Sequence, residues 1–319
     1  MQRQHFLKLT AACVLASFAA LSSAQTKTTR ILVAFPPGGP VDFVARTLTE
    51  QLSKELGHPV MVENKAGANG AIAADTLLKA PADGQTLWLT SVGAVAINPS
   101  LYPALPYDPV RDLAPVSLVV NNVEMLVVNP NNPVNSPQEF IAAAKQKPTT
   151  MASSGTGSVP HLAMELLADA TKSNLIHVPY KGAAPAITDV MAGHVDGFFG
   201  DIPGLMGHIR SGKLKPVALA SMRRHPLFPD VKTFQEVGVS GVDSDNWYAL
   251  FTHKNIPAAE LERINQAVRR TLANEGVRAK LIASGAEPSA SSSAELSTLL
   301  KNDMVKWGRV IRDKKVKAD

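Results

Sequence analysis

Apolar residues recur along the first part of the chain in two alternating rhythms. From Arg30 to Phe35 they form a short dense run, and a similar run follows from Val60 to Glu63. Between these runs, Val44, Leu48, Leu52 and Leu56 return every fourth residue within the stretch Val41 to Leu56. The two runs predict strands and the spaced residues predict a helix with one apolar stripe, stopped by Gly57. That order predicts a parallel βαβ unit. A second unit follows, with helix Gly70 to Lys79, turn Ala82-Asp83-Gly84 and strand Thr86 to Thr90.

The rhythm then restarts. A strand-like run from Val116 to Val128 leads into Pro130 and Pro133, after which come helix Ser136 to Lys145, strand Thr150 to Ala152, helix Ser158 to Thr171, strand Ile176 to Val178, helix Ala183 to Ala192 and strand Val195 to Phe199. The second half therefore repeats the architecture of the first. The apolar strand Trp247 to Phe251 is expected to carry the chain back, so that helices Ala258 to Asn274, Gly276 to Ser284 and Ser293 to Ile311 pack on the first lobe. Two crossings make a hinge. The expected division is residues 25–124 with 249–319 in lobe 1 and 125–248 in lobe 2, consistent with a chain too long for one compact core.

The first residues alter the picture of compartment. Arg3 and Lys8, the apolar run Leu9 to Leu21 and the small residues Ser22-Ser23-Ala24 read as a secretory signal peptide, residues 1–24. The run is shorter than the roughly 20 residues that a bilayer span needs. Cys13 is the single cysteine, and lipidation there would leave Val14 to Leu21 on the mature protein, so the mature chain is expected to hold no thiol, disulfide or cysteine-zinc site. A soluble periplasmic protein without a membrane span is expected. Removing Arg3 and Lys8 leaves 30 basic residues against 27 acidic, a net charge of +3 spread without blocks. No basic patch interleaves with aromatics, so no nucleic-acid partner is expected.

Candidate chemistry lies where strands run into helices. The loop Phe35-Pro36-Pro37-Gly38-Gly39-Pro40-Val41-Asp42 offers bare amides at a helix N-terminus, which favours an anion. An ordinary βα turn with Asp42 in its first turn fits equally well. Ser153-Ser154-Gly155-Thr156-Gly157-Ser158 is a second loop of this kind, read as an anion site or as a plain Ser158 cap. One such loop in each lobe points to a cleft between them. Ser91, just past strand Thr86 to Thr90, Tyr180 and Asp201 also stand at strand ends facing that cleft.

His161 invites a hydrolase reading with Ser154 or Ser158 as nucleophile and Asp201 as orienting acid. Gly-x-Ser-x-Gly is absent, and the histidines lack metal-ligand spacing. Pro160 interrupts the only dinucleotide-like loop, and no GxxxxGK[ST] occurs. No enzyme activity, metal or cofactor is expected.

At these residues the chain resembles the Bug-type (TctC-like) receptors of tripartite tricarboxylate transporters. The resembling elements are Phe35-Pro-Pro-Gly-Gly-Pro-Val-Asp42, Val62-Glu-Asn-Lys-Ala-Gly-Ala-Asn-Gly70, Ser153-Ser-Gly-Thr-Gly-Ser158 with His161, Val178-Pro-Tyr-Lys-Gly182 and Gly285-Ala-Glu-Pro288. They span nearly the whole mature chain.

The resemblance implies an α/β, type II periplasmic binding fold, each lobe a mostly parallel sheet flanked by helices, with a ligand cleft between lobes. It implies a small organic carboxylate held by Phe35, Pro37, Gly38, Gly39 and Asp42 on one wall and by Ser154, Thr156, Gly157, Ser158, His161, Tyr180 and Asp201 on the other, with Ser91 also a candidate. It further implies handover to a two-subunit membrane permease, the receptor itself acting as a monomer. Pro40 departs from the family pattern, which often has Ser or Thr there, and so removes a hydroxyl. A sensory receptor of the same fold is the alternative reading, and a secreted hydrolase a more distant one.

Overall fold

The computed structural model describes residues 27–317. The expected signal peptide and Cys13 lie outside the described residues. Strand β1 (Thr29–Val33) is flanked by parallel β2 (Val60–Asn64) and β3 (Thr86–Ser91), with Ile31 opposite both Val62 and Leu87. The helix between β1 and β2, α1 (Pro40–Leu56), buries Val44, Leu48, Leu52 and Leu56 on the sheet. Each leucine so withdrawn from water contributes roughly 1.5–3 kcal/mol. Gly57 ends the helix at φ 75°, a left-handed conformation that glycine adopts without a Cβ penalty.

The strand-like run Val116 to Val128 is two strands in two different sheets. Strand β4 (Leu113–Asn122) belongs to the first sheet and β5 (Glu124–Val128) to the second, with Val123 between them. The return strand β10 (Asn246–His253) lies wholly in the first sheet, antiparallel to β3 and β4, so the passage back precedes Asn246. With the short edge strand β11 (Glu287–Pro288), the first sheet runs β11-β4-β10-β3-β1-β2.

The second sheet runs β7-β6-β8-β5-β9, built from β6 (Thr149–Ser153), β7 (Leu175–Pro179), β8 (Gly197–Asp201) and β9 (Lys215–Leu219) around β5. Here β6 is parallel to β7 and β8, while β5 is antiparallel to β8 and β9. Each sheet is thus a parallel βαβ core extended by antiparallel strands next to the crossings. The fold is the expected two-lobed α/β architecture with sheets flanked by helices.

Alternation along the strands divides the first lobe into two cores. Ile31, Val33 and Leu250 face α1 and the C-terminal helices Ala258–Ala273 and Glu275–Ser284. Leu32, Trp88, Trp247 and Phe251 face the last helix, Ser293–Lys314, through Leu296, Leu300, Trp307 and Ile311. Val159 and Leu162, from helix α4 of the second lobe (Val159–Thr171), join that second core. The lobes therefore share packed apolar surface. Among the described residues, no helix is long and apolar enough to cross a membrane.

Candidate functional site

The first glycine loop is fixed from beneath. Gly38 takes φ 84°, and its N–H donates to Asp42 Oδ2 at 3.0 Å. The same carboxylate accepts from Arg46 Nε at 2.9 Å and Asn64 Nδ2 at 2.9 Å, and Asn64 also donates to the Phe35 carbonyl at 3.0 Å. Burial alone would raise the Asp42 pKa, but hydrogen bonds from Arg46, Gly38 and Asn64 outweigh it and hold the carboxyl below its usual value. Asp42 braces the loop and does not line the cavity. Pro37 and Gly38 face outward, Gly38 onto a shallow depression beside Phe43 and Pro203.

The second loop is braced in the same manner. Ser158 Oγ accepts from His161 N at 3.4 Å, and the Gly157 N–H donates to His161 Nδ1 at 3.2 Å. The buried His161 ring stacks on His177 at 3.8 Å, with Nε2 3.6 Å from Glu165. Its Nδ1 is thereby engaged by the main chain, and no serine–histidine–aspartate relay forms through it. Thr156 is buried, and its carbonyl accepts from Tyr102 O–H at 3.2 Å, a bond between lobes. The Tyr180 hydroxyl donates to Asp189 at 2.5 Å. Thr156 and Tyr180 line a neighbouring space of about 220 Å³ together with Phe35 and Ser154.

Six of the expected residues, Phe35, Gly39, Ser91, Ser154, Ser158 and Asp201, meet around one cavity between the sheets. The helix starts explain why. Gly39 caps α1, Ser158 caps α4, Ala183 and Ala184 open helix α5 (Ala183–Ala192), and Asp201 precedes helix α6 (Ile202–Arg210), so four helix N-termini converge there. Proline occupies the first or second position of α1, α4 and α6, where a missing N–H costs little. The N–H groups of Val41, Val159, Ala183 and Ala184 have no backbone acceptor among the described residues. Such unpaired amides and the aligned helix dipoles create a positive potential without a cation.

Pattern reading missed Asn246 and left Tyr248 between cleft and core; both complete the far end of the cavity. Both belong to β10, a strand buried on both faces, so no polar-apolar alternation marks them. Asn246 Nδ2 donates to both oxygens of Asp201, each at 3.1 Å, and the Tyr248 hydroxyl donates to Asp201 Oδ2. Asp201 does not cap α6, since no side-chain cap bond forms there. Burial pushes its carboxyl up to about 6 against these donors.

Glycine permits the two walls to approach. A Cβ on Gly182 would stand 2.7 Å from Pro36 Cδ, and one on Gly204 3.0 Å from Pro40 Cδ. The space enclosed is small, about 30 Å³.

Against this geometry, the sequence profile of the "Tripartite tricarboxylate transporter family receptor" matches residues 44–316. The chain is 35% identical over 304 residues to the protein BugT of Bordetella pertussis, with 93% of each chain covered. An R. palustris protein solved with adipate superposes with a TM-score of 0.89 at 28% identity, over 93% of this chain and 100% of that one. MatC from Rhodopseudomonas palustris, solved with malate, superposes with a TM-score of 0.83 at 31% identity, over 89% and 98%. The chain belongs to the TctC family, the periplasmic solute receptors of the tripartite tricarboxylate transporters.

Proposed function

We propose that this receptor captures a small organic carboxylate in the cavity between its lobes and delivers it to a two-subunit membrane permease of the tripartite tricarboxylate type. One observation carries the reading: helix N-termini from both lobes bring unpaired amides to one cavity. Similar proteins solved with adipate and malate support it. Gly39 and Ser91 form the first wall and Ser154, Ser158 and Ala183 the second, while Asp42 and His161 hold the two loops in shape. The lobes divide where the chain crosses between the sheets, at Val123 and before Asn246.

Because the enclosed space is about 30 Å³, the lobes must part at Val123 and before Asn246 to admit an acid, and then close on it. A ligand that touches both walls favours the closed form. The receptor acts as a monomer.

Isothermal titration of the mature protein with C4 to C6 mono- and dicarboxylates tests this. Ala183→Pro removes one cavity amide at a helix position that tolerates proline and should weaken binding about tenfold, near 1.4 kcal/mol. Equal binding of uncharged amides, or an Ala183→Pro variant that binds carboxylates as before, would overturn the reading.

A further inference from the structure

Behind Asp201, beneath the cavity wall, lies a second acid. Glu124 opens β5 directly after the crossing and stands opposite Asp201, the last residue of the neighbouring antiparallel strand β8. Glu124 is fully buried; neither of its oxygens has a hydrogen-bond partner of good geometry, although the Asn246 amide lies close enough to favour its charged form slightly. The donors nearest the pair, Asn246 and Tyr248, are spent on Asp201. The other titratable group facing Glu124 is Asp245, a third acid. No lysine, arginine or histidine lines the cavity among the described residues.

Two adjoining carboxyls away from water do not both ionise, because desolvation and mutual repulsion oppose the second charge. A proton on Glu124, donated towards Asp201, gives the orphan side chain a partner and leaves one negative charge on the pair. The directions of titration agree: burial lifts Glu124 well above its usual range, and the neighbouring Asp201 lifts it further.

From this geometry we infer that Glu124 and Asp201 form a proton-sharing acid pair that sets specificity. The cavity then prefers carboxylates whose second polar group is a hydrogen-bond donor, such as a protonated amine or carboxamide, over acids whose second group is another carboxylate. The inference rests on the carboxylate reading above. The amides at the helix starts take the ligand's carboxylate, and at the opposite end Asp201, an acceptor of hydrogen bonds from Asn246 and Tyr248, presents negative charge and no donor. A second carboxylate there must bring its own proton. A donor meets Asp201 directly.

The test is calorimetric titration of the full mature chain with acids matched in length from C4 to C6, differing only in the far group: carboxylate, carboxamide, ammonium or methyl. At pH 7.5, donor-ended acids should bind at least tenfold tighter than the dicarboxylate of equal length, an advantage that shrinks as pH falls below about 6 and Asp201 takes up a proton. Dicarboxylate binding should strengthen up to about tenfold per unit as pH falls, since it takes up one proton. Asp201→Asn should reverse the preference and flatten that pH profile. Glu124→Gln, which keeps shape and supplies an amide donor to Asp201, should keep the preference and move the pH profile towards acid.

Wild-type protein that binds dicarboxylates and donor-ended acids alike, with flat profiles, would overturn the inference and leave the carboxylate reading standing. Failure of every acid in the series, whatever its far group, would remove both.

Discussion

Asp42 and Asp201 are both buried aspartates at helix starts, one in each lobe, and they behave in opposite ways. Asp42 gathers an arginine, a main-chain N–H and an amide, and its carboxyl is held below the ordinary range. Asp201 has an amide and a phenol but no cation, with Glu124 beside it, and burial lifts its carboxyl to about 6. The difference teaches that partners, rather than depth, decide whether a buried acid fixes the scaffold or stays available to a ligand.

The sharpest way to break this comparison is to remove the brace. Asp42→Ala leaves the Gly38 and Asn64 donors without their acceptor and should cost about 3 kcal/mol in urea denaturation. A cost under about 0.5 kcal/mol would show that the loop holds its shape without Asp42. Tyr248→Phe deprives Asp201 of one donor; a loss of about 1–2 kcal/mol is expected, with the Asp201 titration moved further up, as followed by carboxyl NMR.

Titration of the folded protein separates the two acids by sign. Asp42 stabilises above its unfolded pKa near 3.8, and that contribution is lost as pH falls through the lower folded value. Asp201 and Asp245, both raised from 3.8 to about 6, act the other way: their contribution is whole below pH 3.8 and is lost as pH rises through 6. Between those limits each makes stability fall by up to about 1.4 kcal/mol per pH unit. Chemical denaturation at several pH values between 4 and 7 should show this decline, and Asp201→Asn should make it shallower; an unchanged slope counts against the assignment.

Arg46→Gln makes a smaller change, below about 1 kcal/mol, because the guanidinium is half exposed and screened. Glu124→Gln is expected near zero, since the new amide donates to Asp201 in place of the acid's proton. A loss above about 2 kcal/mol in that variant would count against a shared proton, because an amide donor would then fail to replace it.

Much of this fold is legible in the sequence, and the reason is local. The stripe Val44, Leu48, Leu52 and Leu56 follows helix periodicity, and Gly57 and the glycine loops mark where elements stop and start. Asp42 and His161 were expected as ligand groups because they belong to those loops. Whether a loop side chain faces the cavity or the scaffold depends on partners distant in sequence, Asn64 for the one and His177 for the other. The run Val116 to Val128 was legible as a crossing between lobes but not as two separate strands, because strands buried on both faces carry no alternation. A single glutamate within that run was the available signal for the acid pair, since a lone charge among buried aliphatics needs a reason to be there.

Strand β10 also joins the cavity wall to a tryptophan on its opposite face. Tyr248 lines the cavity, while its neighbour Trp247 points to the opposite face, where its indole Nε1 donates to Asp303 at 2.7 Å. The indole nitrogens of Trp88 and Trp307 have no partner among the described residues. An indole bonded to a carboxylate emits differently from one enclosed in hydrocarbon, so a displacement of β10 that stretched the Trp247–Asp303 bond would change the fluorescence spectrum of the unmodified protein. The receptor thus carries a native reporter one residue from its binding cavity.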